Sequence, residues 1–261
     1  MMSCIAILYI ALFHPGGGPR AVVAPPTLLS VPQNPGPAAA SPDPDALYAN
    51  RTDLASARKA AEIWDARLRE NPKDFAAAAK LTRTYYWLGR HAPEGERRAL
   101  LERGIAAGRS AVAIEPNRPE GHFWIAANMG GLAESFGLRQ GLKYRGEIRD
   151  ELMTVLRLDP AFQQGSGDRA LGRWYYKVPG LFGGSNAKAE EHLRKSLTYS
   201  PGNTASLYFL AEVLIATRRG AEAQAVLEKL IASPGEPGWA PEDSEYKVRG
   251  RRLLEKLKAG G

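Results

Sequence analysis

The chain carries four histidines, one cysteine and a scatter of serines and carboxylates, and their spacing decides what chemistry they could do. A metal site on a helix needs ligands three or four residues apart, so that they share a face. His14, His91, His122 and His192 never stand at that spacing, and the lone Cys4 excludes an intrachain disulfide and a cysteine-based zinc site. Gly165-Ser166-Gly167 lacks the Gly-x-Ser-x-Gly spacing of a nucleophile elbow and reads as a loop that starts a helix. Gly183-Gly184-Ser185-Asn186 also opens a helix, as a phosphate-binding loop does, but no Lys-Ser/Thr follows it and no strand precedes it. Its glycines make a turn, and Ser185 or Asn186 supplies the N-cap. Glu190-Glu191-His192, near Arg194 and Lys195, reads as a charged helix face, and His122 as a packed or partly exposed residue at a helix start. Asp150-Glu151 is one of many carboxylate pairs on helices. The sequence therefore assigns no catalytic, cofactor-binding or metal residue, and the chain is expected to be noncatalytic.

The aromatic residues carry more information. Of the 22, twelve fall between Phe123 and Phe209. Most rings at helical spacing belong to a core. Trp174-Tyr175-Tyr176, however, sets three rings about 100° apart around one helix, so they cannot all face the same core. At least one points to a groove, a neighbouring chain or solvent. The candidate partner- or ligand-binding residues are accordingly Phe123, Trp124, Trp174, Tyr175, Tyr176, Phe182 and Tyr208.

The elements that position these residues are helical. From Asp45 onward apolar residues recur at helical spacing, as in Leu54, Ala57, Ala61, Trp64 and Leu68, and no run alternates with period two. Prolines 72, 116, 160, 201 and 234 each close an apolar helical stretch, at intervals of 33 to 44 residues, because proline cannot continue a helix. Such recurring punctuation predicts a helical solenoid. Thr204–Pro234 resembles a tetratricopeptide repeat, with Leu207, Leu210, Ala211 and Leu214 on its first helix and Ala223, Leu227 and Leu230 on its second. The preceding unit matches at Leu171, Gly172, Tyr175, Ala189, Leu193 and Pro201, with five extra residues placed in the loop Val178–Gly184. Earlier units keep Leu81, Tyr85 and Ala111, then Phe123, Ala127 and Leu152. The resemblance implies an all-α, tetratricopeptide-like right-handed superhelix of about ten helices, ending in a capping helix near Asp243–Lys258. Its long-helix repeats, the run Gly172–Tyr176 and a Gly-Gly turn opening a helix are also similar to the T component of TRAP-type transporters, a periplasmic helical-repeat family implied to pair with a solute-binding protein.

The first 44 residues are of another composition, with nine of the 19 prolines and only Arg20 and Asp43 charged. Cys4–Phe13 is an apolar run of ten residues, too short to span a bilayer, which takes about 20. It fits a signal-peptide core and predicts export to the periplasm or beyond, with cytoplasmic retention as the alternative. The expected organisation is a leader over 1–24, a Pro/Ala-rich tether over 25–44 and a repeat domain over 45–261. The net charge of +7 is spread along the chain and does not favour a nucleic-acid partner. Stacked helix pairs leave a concave face free, so the predicted function is an interaction scaffold gripping another protein or peptide. The resemblance to the TRAP-type T component implies an accessory part in solute uptake. The alternative is a carrier that holds an apolar small molecule in an aromatic cavity. A deep aromatic pocket would favour the carrier, and a shallow open groove the scaffold.

Overall fold

The computed structural model describes residues 42–259. The leader over 1–24, the tether up to residue 41, Cys4 and His14 lie outside the described residues. Helix α1, Pro44–Ala49, starts at the last residue of the expected tether, with the Asp43 side chain accepting from the Asp45 N–H as its cap. The rest comprises α2 (Leu54–Glu70), α3 (Phe75–His91), α4 (Glu94–Ile114), α5 (Pro119–Phe136), α6 (Leu138–Leu158), α7 (Phe162–Lys177), α8 (Asn186–Tyr199), α9 (Thr204–Ala216), α10 (Gly220–Ala232) and α11 (Ala240–Ala259). Two short 3-10 turns, Gly180–Phe182 and Pro237–Trp239, complete the described residues, and there is no strand among them.

The proline punctuation works as the spacing predicts. Helices α2, α4, α6, α8 and α10 each stop two residues before prolines 72, 116, 160, 201 and 234. Two of the five turns that follow supply the next cap: two residues after Pro72, Asp74 accepts from Ala77 N–H, and two residues after Pro201, Asn203 accepts from Ser206 N–H. Each odd-numbered helix from α3 to α9 pairs with the even-numbered one after it. The four odd helices also touch one another in sequence, forming an inner row backed by the outer helices α4, α6, α8 and α10. This is the tetratricopeptide-like superhelix.

Small residues set the helix spacing. Ala211 and Ala223 are fully buried between α9 and α10. In the preceding pair, a Cβ on Gly172 would stand 2.5 Å from Leu193 Cγ and 3.0 Å from the Ala189 carbonyl oxygen, so α7 approaches α8 only because position 172 has no side chain. The core runs along the array as a series of clusters. Trp64, Leu81 and Trp87 anchor the first, Met129, Leu132 and Leu171 the middle, and Leu193, Leu207 and Leu214 the last.

Helix α11 does more than cap. Its Tyr246, Leu253 and Leu257 pack on α9 and α10, as the sequence predicts. Its first turn also reaches the other end of the array. The Arg51 guanidinium donates Nε to Glu242 Oε1 (3.1 Å) and Nη2 to the Gly238 carbonyl (3.1 Å). Arg51 is itself held by Trp87, whose indole N–H donates to the Arg51 carbonyl at 2.7 Å and whose ring lies under the guanidinium. Glu245 meets His91 Nε2 at 2.5 Å. The two ends of the repeat array are thus bridged.

Candidate functional site

The inner row lines a partly open cavity of about 630 Å³. Its walls come from α3, α5, α6, α7, α9 and α11, with Tyr48 of α1. That volume falls within the range of small-molecule sites, roughly 300–1,000 Å³. Four of the five tryptophans, Trp87, Trp124, Trp174 and Trp239, line it, together with Tyr86, Phe123, Phe209 and Tyr246. The α5 wall includes the small residues Ala126, Ala127, Gly130 and Ala133, and a Cβ added at Gly130 would meet nothing within 4 Å, so this stretch leaves the hollow open. Only four lining residues are exposed: Glu134, Gly137, Lys177 and Pro179. All four sit at the C-terminal ends of α5 and α7 or in the turns after them, and the hollow opens there.

Set into this apolar wall are charges, and most have partners. Arg173 bridges Glu134 (3.0 Å) and Glu212 (2.5 Å) and lies over the Phe209 ring. Burial alone would raise the Glu134 carboxyl, but Arg173 beside it holds it below the usual carboxylate range. Arg90 donates to the Tyr86 hydroxyl at 2.9 Å. Arg249 stacks on Tyr208 at 4.4 Å from its ring centre. Asp243 accepts from the Thr204 hydroxyl (2.5 Å) and the Glu236 N–H (2.6 Å). At the far end, burial pushes the Tyr48 hydroxyl up to about 12 and holds it neutral.

Arg169 is the exception. Its Nη1 is buried without a hydrogen-bond partner among the described residues. Its side chain lies deep in the protein yet keeps accessible surface, because that surface faces the hollow. Burial pulls its guanidinium below the ordinary arginine value, with Tyr246, Tyr86 and Asp243 only partly offsetting the loss of water. A buried cation that makes no ion pair among the described residues is costly, and an anion beside it would lower that cost.

The structure sorts the seven expected residues. Phe123, Trp124 and Trp174 line the hollow; Tyr175, Tyr176, Phe182 and Tyr208 do not. Tyr175 stacks on His192, Tyr208 is buried against Tyr246, Tyr176 packs beside the last core clusters, and Phe182 stands exposed on the α7–α8 turn. The three successive rings of α7 do diverge, and it is Trp174 that turns inward. Sequence reasoning missed Arg169, Arg90, Trp87 and Tyr246. Their spacing carries no motif, and only the facing of distant helices brings them together.

Three polar residues singled out in the sequence make contacts within the fold. Ser185 caps α8 by accepting from Lys188 N–H at 3.3 Å, as expected. His122 is buried, with Nδ1 at 2.5 Å from Glu151 and Nε2 at 2.9 Å from the Pro116 carbonyl. His192 does not belong to a solvated charged face: its Nδ1 contacts the fully buried Asp168 of α7 at 2.7 Å. The start of α7 is kinked, with left-handed backbone at Gln163, Gln164 and Gly165.

Among families, residues 43–258 match RMD1-3, regulator of microtubule dynamics protein 1-3. The chain belongs to this family. No curated protein matches the sequence. Among solved structures the fold is similar to TTC0263, a thermophilic tetratricopeptide-repeat protein of Thermus thermophilus, at 23% identity over 81% of this chain and 97% of that one, with a TM-score of 0.61. A second neighbour, MamA, gives 16% identity over 77% and 95% of the two chains, with a TM-score of 0.48.

Proposed function

We propose that this family member is a noncatalytic binding protein that encloses an amphipathic guest, an apolar body carrying an acid group, inside the hollow of its repeats. The observation that carries the reading is Arg169, a cation without a partner facing an aromatic cavity of small-molecule size. The aromatic walls take the apolar body and Arg169 takes the acid as a charge-assisted pair. Of the two functions the sequence allowed, volume and aromatic lining favour the carrier.

The lining tryptophans provide the readout. Dodecanoate should change the tryptophan emission at lower concentration than dodecanol, and Arg169→Gln should weaken dodecanoate at least tenfold while leaving dodecanol unchanged. If neither compound perturbs the tryptophans, or if the variant keeps the preference for the acid, the reading fails.

A second reading, a scaffold gripping a segment of another protein, is favoured by the tetratricopeptide-like inner row and by the family's description as a regulator. It predicts an acidic peptide that displaces dodecanoate from the same hollow. Export, the leader over 1–24 and the tether over 25–44 are proposals from the sequence, tested by N-terminal sequencing of the mature protein. An accessory part in solute uptake rests on the resemblance to the TRAP-type T component.

A further inference from the structure

Leu181 and Phe182 are large apolar residues that the fold leaves in water. Leu181 is 89% exposed and Phe182 is 38% exposed, side by side on the 3-10 turn between α7 and α8. This turn follows directly on Lys177 and Pro179, two of the four residues at the opening of the hollow. Helix α6 lies against the turn: the Arg145 guanidinium sits 5.7 Å from the Phe182 ring centre, and Trp174, just before the turn, donates its indole N–H to the Arg145 carbonyl at 2.9 Å.

The two segments that flank the tip carry charge of one sign, and Glu134 at the opening is paired with Arg173. Residues 137–146 and 175–189 hold Arg139, Lys143, Arg145, Lys177 and Lys188 and no aspartate or glutamate. All five are exposed, and none makes an ion pair with a described residue. Elsewhere on the surface the arginines are commonly matched, as Arg58 with Glu96, Arg109 with Glu147 and Arg118 with Glu120 are.

We propose that this tip docks the protein on an anionic lipid surface, with Leu181 and Phe182 inserted at the headgroup level and the five cations over the anionic headgroups. A protein partner would call for a broad apolar core from which lysine is depleted, with roughly 800 Å² covered on each side. Two protruding side chains flanked in sequence by exposed cations, with Arg145 over the Phe182 ring, instead match the chemistry of an interfacial anchor. Docking there turns the opening of the hollow toward the lipid, the source of an amphipathic guest. The consequence for the guest rests on the function proposed above; the docking itself does not.

The test is co-sedimentation of the full chain with vesicles of phosphatidylcholine alone or with about a third phosphatidylserine. Binding to the anionic vesicles should exceed binding to the neutral ones at least tenfold and fall with added salt. The double variant Leu181→Asp/Phe182→Asp should lose tenfold or more, and Lys143→Glu/Arg145→Glu should abolish the preference for anionic vesicles. Because these side chains are exposed, the variants should keep the wild-type circular dichroism and melting temperature. Equal binding to both vesicle types, no binding, or binding unchanged in the double Asp variant would overturn the proposal, including in favour of a protein partner. Dodecanoate titration of the same double variant separates the two ideas. Retained uptake with lost docking supports both, whereas docking without uptake in the wild type leaves the tip standing and removes the guest.

Discussion

At the scale of single residues, Arg169 and Glu245 make opposite statements about stability. Arg169 sits in a hollow with no ion pair among the described residues and only partial relief from Asp243, so the empty protein carries the cost of a desolvated charge. Arg169→Met should therefore stabilise the guest-free protein by about 1 kcal/mol, with water in the cavity limiting the gain. Calorimetry should show the melting temperature rising by about 2–4 °C while dodecanoate binding is lost. Glu245 is stabilised in its charged form. Burial would raise its carboxyl, but the hydrogen bond and charge of His91, with Arg90 and Arg249 nearby, hold it below the ordinary 4.5. The folded carboxyl therefore takes up its proton less readily than the unfolded one. Its contribution is fully present above about pH 4.5 and is lost as the pH falls through the lower folded value. Melting temperatures measured from pH 6 to pH 3 should fall less steeply in Glu245→Gln than in the parent chain.

At the scale of elements, the fold was legible because its punctuation is local. Proline at the end of an outer helix, an acidic or amide cap two residues later and an alanine or glycine at each close approach are all properties of short segments. Gly172 is the sharpest case. Gly172→Ala would press a methyl group into Leu193 and the Ala189 carbonyl, and should destabilise by ~1–3 kcal/mol, lowering the thermal midpoint measured by circular dichroism. Ser185→Ala, which removes one cap bond without any crowding, should cost only about 1 kcal/mol. The candidate site was legible only in part for the same reason. Phe123, Trp124 and Trp174 stand out as aromatics at helical spacing, and the inward face of α7 follows from periodicity. Arg169 is one of many arginines on helices, and nothing within α7 says that its neighbours across the hollow, Tyr86 and Tyr246, lie 83 residues before it and 77 after it.

At the scale of the whole repeat unit, the bridge from Arg51 to Glu242 joins residues 191 apart. Arrays in which each repeat touches only its neighbours fray from their ends and unfold in stages. Here Arg51, nearly buried at 5% side-chain exposure, ties the first helices to the last. Arg51→Ala leaves Glu242 without its partner and should cost about 3 kcal/mol. In hydrogen exchange, amides of α1, α2 and α11 should lose protection together, ahead of the middle helices. The same clasp bears on how such a chain can change length. Open arrays grow when a duplicated helix pair is inserted, since each copy simply extends the row. An extra pair here would carry Glu242 about 10 Å further from Arg51, the spacing of packed helices, and unfasten the ends. A chain with an inserted helix pair would therefore lose the Arg51–Glu242 bond, whereas a longer turn would keep it.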